Sequence, residues 1–269
     1  VIALQFLGGG RMAEALIGGL WAAGGPTVAG GPVGVVEIDP ARRDHLGTTF
    51  DGLVVLEAPQ ECDGLVLATK PADAPSALAA AAAIGVRRVL SIAAGVRCAA
   101  LEAAVPAGTP VVRAMPNTPA LVGRGASAIC AGTAAGGADL DWAESILGAV
   151  GIVVRVPEHQ MDAVTGLSGS GPAYLFLVAE AMVEAGVHLG LPRDVADALT
   201  RQTLLGAATL IAGDEDAPGP PRAIEELRAA VTSPGGTTAA GLRVLEDRAV
   251  RAAVLAAVEA AARRSAELG

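Results

Sequence analysis

VIALQFLGGGRMA, residues 1–13, decides the architecture of this chain. Val1–Leu7 is an almost wholly apolar run, three glycines follow, and apolar residues at helical spacing continue over Met12–Ala23. A strand, a tight glycine turn and a helix in that order open a dinucleotide-binding βαβ unit. Gly8 permits the turn, Gly10 lets a pyrophosphate approach the backbone, and Ala13 allows close packing of helix on strand. Free amides of the first helical turn then meet the phosphates. The Gly8-x-Gly10-x-x-Ala13 spacing alone also fits a βα turn that binds nothing, and it is the strand-to-helix context that favours a ligand.

Outward from this unit, short β runs alternate with Ala/Leu-rich helical patterns. Strands are expected at Val1–Leu7, Val33–Ile38, Leu53–Leu56, Gly64–Ala68, Val89–Ile92, Val111–Ala114, Ser127–Ala131 and Ile152–Val156. Helices are expected between many of them, at Met12–Ala23, Ala41–Leu46, Ala74–Ile84, Ala99–Val105 and Leu140–Ala149. Such alternation predicts an α/β domain with a mainly parallel sheet and helices on both faces. After Val156 only helical patterns remain: Pro172–His188, Pro192–Ala212, Ala223–Ala230, Thr237–Glu246 and Val250–Leu268. A boundary therefore falls near Glu158, with an α/β domain over 1–158 and an all-α domain over 159–269. GDEDAPGPP, Gly213–Pro221, reads as an exposed loop. The helical part has few large side chains and buries little surface alone, which favours pairing with a second copy.

Composition narrows the function. The 269 residues are 52% hydrophobic, 17% charged and only 2% aromatic, so the chain is rich enough in aliphatics to fold and too poor in aromatics to stack nucleic-acid bases. A net charge of −9 disfavours a phosphate-backbone binder as well. Cys62, Cys98 and Cys130 form no Cys-x-x-Cys pair, and their number is odd, so they read as buried thiols of a reducing compartment. The N-terminus lacks the basic region of a signal peptide, and the longest uncharged stretch, Ala15–Val36, is broken by seven glycines and two prolines. A soluble, cytoplasmic protein with neither nucleic-acid nor membrane partners is expected.

Candidate chemistry clusters at strand ends and helix starts. Glu37 ends the second strand, where an acid can hold a ribose 2′-hydroxyl and repel a 2′-phosphate. Arg42 and Arg43, or Arg11, could instead hold that phosphate, and these readings stand side by side. Ala68-Thr69-Lys70-Pro71 and Ile92-Ala93-Ala94 end two further strands and point at the same crevice. Asn117, between Pro116 and Pro119, offers a donor and an acceptor that suit a carboxamide, or that serve its own turn. Leu167–Pro172 and Thr232–Thr238 are small-residue loops running into helices, fit for a small anion or for ordinary capping. His45, His159 and His188 are scattered, without metal-ligand spacing.

Together these residues resemble the pyrroline-5-carboxylate reductase family over nearly the whole chain. The most specific stretch is LRAAVTSPGGTTAAGLRVLE, residues 227–246. LGGGRMAEALIGGL at 7–20, ATKP at 68–71, SIAAGV at 91–96, VRAMPNTPALVGRGASAI at 112–129 and AVTGLSGSGPAYLFLVAEAMVEAGVHLGLPR at 163–193 support it in the family's order.

The resemblance implies a Rossmann domain followed by an interlocking helical dimerisation domain, with dimers often assembling into decamers. It implies reduction of pyrroline-5-carboxylate to proline with NADPH, or sometimes NADH, the hydride passing to the imine carbon. By position, Leu7, Gly8, Gly9, Gly10, Arg11 and Met12 would wrap the pyrophosphate. Ala68–Pro71 and Ile92–Ala94 would line the cofactor crevice, and Asn117 would sit near the nicotinamide. Ser233, Gly235, Gly236 and Thr237 would hold the substrate carboxylate, and the Thr238 hydroxyl would face the ring nitrogen as the catalytic group. Glu158 and Thr165 rank second as pocket residues. Three positions depart from the pattern: Arg11 where Asn is common, Glu37 in place of an NADPH-type strand end, and polar Gln5 in an apolar strand. Two alternatives remain: a β-hydroxyacid dehydrogenase relative, disfavoured because Lys70 is the chain's one lysine, and a non-catalytic NAD(P) sensor.

Overall fold

The strand at the N-terminus, β1 (Ile2–Leu7), lies inside an eight-stranded sheet of order β3-β2-β1-β4-β5-β6-β7-β8. The others are β2 (Val33–Val36), β3 (Val54–Leu56), β4 (Cys62–Leu67), β5 (Val86–Ser91), β6 (Val111–Met115), β7 (Gly125–Ala131) and β8 (Gly151–Arg155). This computed structural model describes residues 1–27, 29–213 and 222–268. All neighbouring strands run parallel except β6 and β7. That exception follows from connection length. Parallel neighbours need a crossover of a dozen residues or more, whereas β6 and β7 are joined by a short 3₁₀ turn over Thr118–Val122 that Gly123 ends at φ 69°.

Side chains alternate between two apolar layers, one on each face of the sheet. Phe6 and Val66 pack with Leu16, Ile17 and Leu20, while Leu7, Leu65 and Leu67 pack with Leu78 and Leu101. Helix α1 (Arg11–Ala22) buries Ala13, Leu16, Ile17 and Leu20, the i, i+3, i+4, i+7 stripe of an amphipathic helix. Each large aliphatic buried this way contributes about 1.5–3 kcal/mol. Helix α2 (Pro40–Thr49) starts where Asp39 accepts from the Ala41 amide at 3.0 Å and proline occupies the first turn. Helices α3 (Ala74–Ala82), α4 (Cys98–Glu102) and α5 (Gly137–Leu147) complete the layers.

Gln5, anomalous in the sequence, is fully buried and fully used. Its Oε1 accepts from the Gln60 amide at 3.0 Å, and its Nε2 donates to the Gln60 carbonyl at 3.2 Å. The side chain thus ties the approach to β4 onto β1 as an extra rung of sheet would. Gln5→Leu keeps the volume but orphans both Gln60 backbone groups, and should cost about 1–3 kcal/mol. Urea unfolding measures it, and a variant as stable as the parent would remove this role from Gln5.

The chain packs as two compact units. The first comprises Val1–Pro172 with the chain from Val258 onward, and the second comprises Ala173–Ala257. In the first unit, α6 (Met161–Val164) runs into a wider π-helical turn over Thr165–Gly169. Gly166 is required there, because a Cβ would lie 2.5 Å from the Val258 carbonyl oxygen. The remaining helices are α7 (Gly171–His188), α8 (Arg193–Ala212), α9 (Ile224–Ala230), α10 (Thr237–Asp247) and α11 (Val250–Leu268). In the second unit only Ala196 and Thr200 are buried among the described residues, while Phe176, Leu177, Leu205 and Leu210 are exposed. Most of the loop expected over Gly213–Pro221, residues 214–221, lies outside the described residues.

Candidate functional site

The C-terminal edge of the parallel strands gathers several of the expected residues. Ala68 N donates to Leu7 O at 2.9 Å, Ile92 N to Leu67 O at 3.0 Å, and Gly8 N to Val36 O at 2.9 Å. The ends of β1, β2, β4 and β5 are therefore laced together. Strand order turns at β1 and β4, and this is the crevice in which doubly wound sheets bind ligands. Gly8 has φ +102°, and a Cβ on it would lie 2.8 Å from the Ala68 carbonyl oxygen. Gly10 caps α1 with no side-chain bond, and a Cβ there would meet nothing within 4 Å.

Two observations test this edge for a dinucleotide. The turn leaves open space at Gly10 over uncapped helical amides, and the buried Thr69 hydroxyl has no partner among the described residues. An orphaned buried hydroxyl is costly unless a ligand or water completes it. The residues present fit the group. Lys70, Pro71 and Ala94 are exposed beside them, and Ala93 is buried under them.

Glu37 directly follows β2. Its Oε2 accepts from Gly9 N at 2.9 Å, and its Oε1 accepts from Ile38 N at 2.7 Å and Asp39 N at 3.0 Å. Arg42 Nε donates to Gly9 O at 2.7 Å, and its guanidinium pairs with Glu14, which also meets His45 Nε2 at 2.8 Å. Burial would raise the Glu14 carboxyl, but Arg42 and His45 outweigh it and hold that carboxyl below the usual range. Arg43 donates to the Glu37 and Ile38 carbonyls, each at 3.0 Å, and to Glu57 at 2.8 Å. The clamp on Gly9 was invisible in the sequence, where Arg42 carried only a generic phosphate-binding signal.

Asn117 is 8% exposed and cross-links its surroundings. Its Nδ2 donates to Ser168 O at 3.0 Å, and its Oδ1 accepts from Ala126 N at 2.9 Å. It thereby joins the turn after β6 to the π-helical turn. Thr165 Oγ1 donates to Met161 O at 2.9 Å. Glu158 Oε1 accepts from Cys98 N at 2.6 Å and from Arg113 Nη1 at 3.2 Å. Arg113 is a buried arginine in the otherwise apolar strand VVRAM, a signal that marks the pair in retrospect. Ligand atoms of Cys98, Cys130 and Glu158 lie within 4.8 Å of one another. The Arg113 charge already satisfies this carboxylate, so the group does not suit a cation. Its contact with the Cys130 sulfur and its burial push the Cys98 thiol up, and burial pushes Cys62 up to about 11. Neither is a nucleophile near neutral pH.

In the second unit, TSPGGTT bends before α10. Gly235 takes φ +68°, Gly236 N donates to Ser233 O at 3.1 Å, and a Cβ on Gly236 would lie 2.4 Å from Ser233 Oγ. Gly236 caps α10 without a side-chain bond, which leaves the amides that open the helix without a capping side chain among the described residues. Ser233, Thr237 and Thr238 are exposed. This set can hold a small carboxylate by backbone and hydroxyl donors.

Residues 158–268 match the family model for pyrroline-5-carboxylate reductase dimerisation, and residues 3–95 match that for coenzyme F420-dependent NADP oxidoreductase. A pyrroline-5-carboxylate reductase of Synechocystis sp. is 45% identical over 273 residues, covering 100% of this chain and 98% of its own. The solved pyrroline-5-carboxylate reductase of Coxiella burnetii superposes with a TM-score of 0.88 at 34% identity, covering 100% of this chain and 98% of its own. The Plasmodium falciparum pyrroline carboxylate reductase, solved with NADP bound, gives a TM-score of 0.82 at 30% identity, with coverage of 100% and 98%.

Proposed function

The chain belongs to the pyrroline-5-carboxylate reductase family, and from that premise we infer its reaction: NAD(P)H-dependent reduction of L-1-pyrroline-5-carboxylate to L-proline. The observation that carries this reading is the match over 100% of this chain and 98% of its relatives, which takes in the glycine-rich crevice and the TSPGGTT loop together. When bound, the reduced nicotinamide supplies the hydride that the imine carbon accepts. The protein supplies position and charge.

Residues 7–12, Ala68–Pro71 and Ile92–Ala94 are assigned to the dinucleotide, with Glu37 on its adenosine side and Asn117 toward the nicotinamide. Ser233, Gly235, Gly236 and Thr237 are assigned to the substrate carboxylate. Thr238, in the first turn of α10, is assigned the ring nitrogen, which its hydroxyl orients and can supply with a proton. Glu158 and Thr165 stay at second rank, because Glu158 Oε1 and Thr165 Oγ1 already have partners. We divide the labour at Glu158: 1–158 binds the dinucleotide, and 159–269 binds substrate and self-associates. The matched dimerisation model and the exposed apolar side chains of α7 and α8 support a dimer, and the family resemblance supports decamers built from it. No helix among the described residues is long and apolar enough to cross a membrane. All three cysteines are free and buried, which supports a cytoplasmic setting.

The test is consumption of NADH and of NADPH in the presence of pyrroline-5-carboxylate. Turnover with either supports the reading. Cofactor binding without turnover would overturn it in favour of a sensor or another imine substrate. Thr238→Ala should lower kcat about 100-fold, the low end for a positioned proton donor, and leave cofactor affinity unchanged. Thr238→Ser should restore most of the rate. Full turnover in the alanine variant would remove Thr238 from catalysis.

A further inference from the structure

We propose that this reductase selects NADH over NADPH, and that Glu37, fastened to the glycine-rich turn, is the selector. The proposal rests on the reading above that residues 7–12 hold a dinucleotide.

Position comes first. In a doubly wound sheet, the residue at the end of β2 stands beside the adenosine ribose of a dinucleotide whose pyrophosphate lies on the β1 turn. Glu37 directly follows Val36, the last residue of β2, which pairs with Leu7 of β1.

Fixity comes second. A long glutamate on a surface turn could swing away from an incoming phosphate. This one accepts three backbone amides, from Gly9, Ile38 and Asp39, at 2.7–3.0 Å. Turning it aside gives up all three and frees the Gly9 peptide, whose carbonyl Arg42 holds from the other side. The glycine turn and the carboxylate are therefore one preorganised piece. Oε2 carries a single hydrogen bond among the described residues and keeps acceptor capacity for a ribose 2′-hydroxyl. A 2′-phosphate in the same place puts like charge against a carboxylate held by three amides.

The third point is the fate of the arginines. The sequence offered Arg42 and Arg43 as phosphate holders. Arg42 is spent on Gly9 O and Glu14, and Arg43 on two carbonyls and Glu57. Their side chains are 25% and 19% exposed. Recruiting either for a 2′-phosphate would dismantle the clamp that shapes the turn. Arg11, exposed in the first turn of α1, makes no hydrogen bond or ion pair among the described residues. Its place beside the turn suits the pyrophosphate common to both cofactors.

The test is direct binding, independent of turnover. The purified full-length chain is titrated with NADH and with NADPH, followed by nicotinamide fluorescence and by calorimetry. NADH should bind at least about tenfold more tightly, the ratio expected when one cofactor carries an extra like charge. Glu37→Gln removes the charge and keeps an acceptor, and Glu37→Ser opens space. Both should tighten NADPH, and a gain of affinity cannot arise from misfolding. Arg11→Ala should weaken the two cofactors by the same factor. Equal or tighter binding of NADPH by the parent chain would overturn the proposal. So would Glu37 variants that weaken both cofactors alike and leave their ratio unchanged. Binding of neither cofactor would overturn the dinucleotide reading itself, a result distinct from a reversed preference.

Discussion

Gly8→Ala is expected to lower cofactor affinity about 100-fold, a loss of about 2.8 kcal/mol. Two effects combine at this position. Its φ of +102° is strained for any residue with a Cβ. The added Cβ would also lie 2.8 Å from Ala68 O and 3.3 Å from Thr69 N, both backbone atoms that a rotamer change cannot clear. Either the glycine turn or the end of β4 must shift, and both are assigned to the dinucleotide. The strain itself should destabilise the fold by about 1–3 kcal/mol. Gly10→Ala is the informative companion. At φ −66° with nothing within 4 Å of its Cβ, it should cost only about 1 kcal/mol, as a poorer helix N-cap, while still obstructing a ligand. Calorimetric titration and thermal unfolding of the two variants separate fold from site. Parent-like affinity and stability in Gly8→Ala would refute the tight approach of β4 to the turn.

Arg113→Met is expected to give the largest stability loss. Arg113 is 4% exposed and anchors Glu158, the residue with which the matched dimerisation region begins. Removing one partner of a buried pair costs about 3–5 kcal/mol, and this is an upper bound here because the Glu158 side chain is 35% exposed and partly screened. The pH dependence has a definite sign. Burial alone would raise the Glu158 carboxyl, but the Cys98 amide and Arg113 outweigh it and hold it below the usual carboxylate value. A carboxylate depressed in the folded state contributes stability above its unfolded pKa and loses it as pH falls through the folded one. The parent should therefore lose this stability in acid, below the ordinary carboxylate range. Arg113→Met should have lost part of it already at neutral pH and show a shallower acid slope. Urea unfolding across that window measures both. Identical slopes would mean that Arg113 does not govern the Glu158 charge.

Much of the fold is legible in the chain because its local signals agree with one another. The alternation of apolar β runs with Ala/Leu helices called for a mainly parallel sheet, and the glycine turn after β1 marked the edge at which such sheets bind ligands. Helix starts at Ala74, Thr237 and Val250 are carried by residues that read the same way in isolation. Boundaries were less legible. The fourth strand starts at Cys62 rather than Gly64 and the fifth at Val86 rather than Val89, because Asp63, Arg87 and Arg88 do not look like strand interior. Their place is set by pairing with neighbouring strands, and Arg88 lies over the Trp142 ring at 4.4 Å. Polar roles were the least legible. Arg42 reads as one of several candidate phosphate ligands until it is seen on Gly9, and Gln5 as an unexplained departure until Gln60 is beside it.

By itself the sequence determined the order of elements, the glycine-rich crevice, the all-helical second half and the membership of a reductase family. These follow from local periodicity and contiguous motifs, in which a few neighbouring residues state the physics. Only the tertiary structure decided which charges are free to meet a ligand. Glu37 meets Gly9 across 28 positions, Arg42 the same residue across 33, and Arg113 meets Glu158 across 45. A hydrogen bond acts over about 3 Å in space whatever the separation along the chain, so a polar side chain has no readable partner until the fold supplies one.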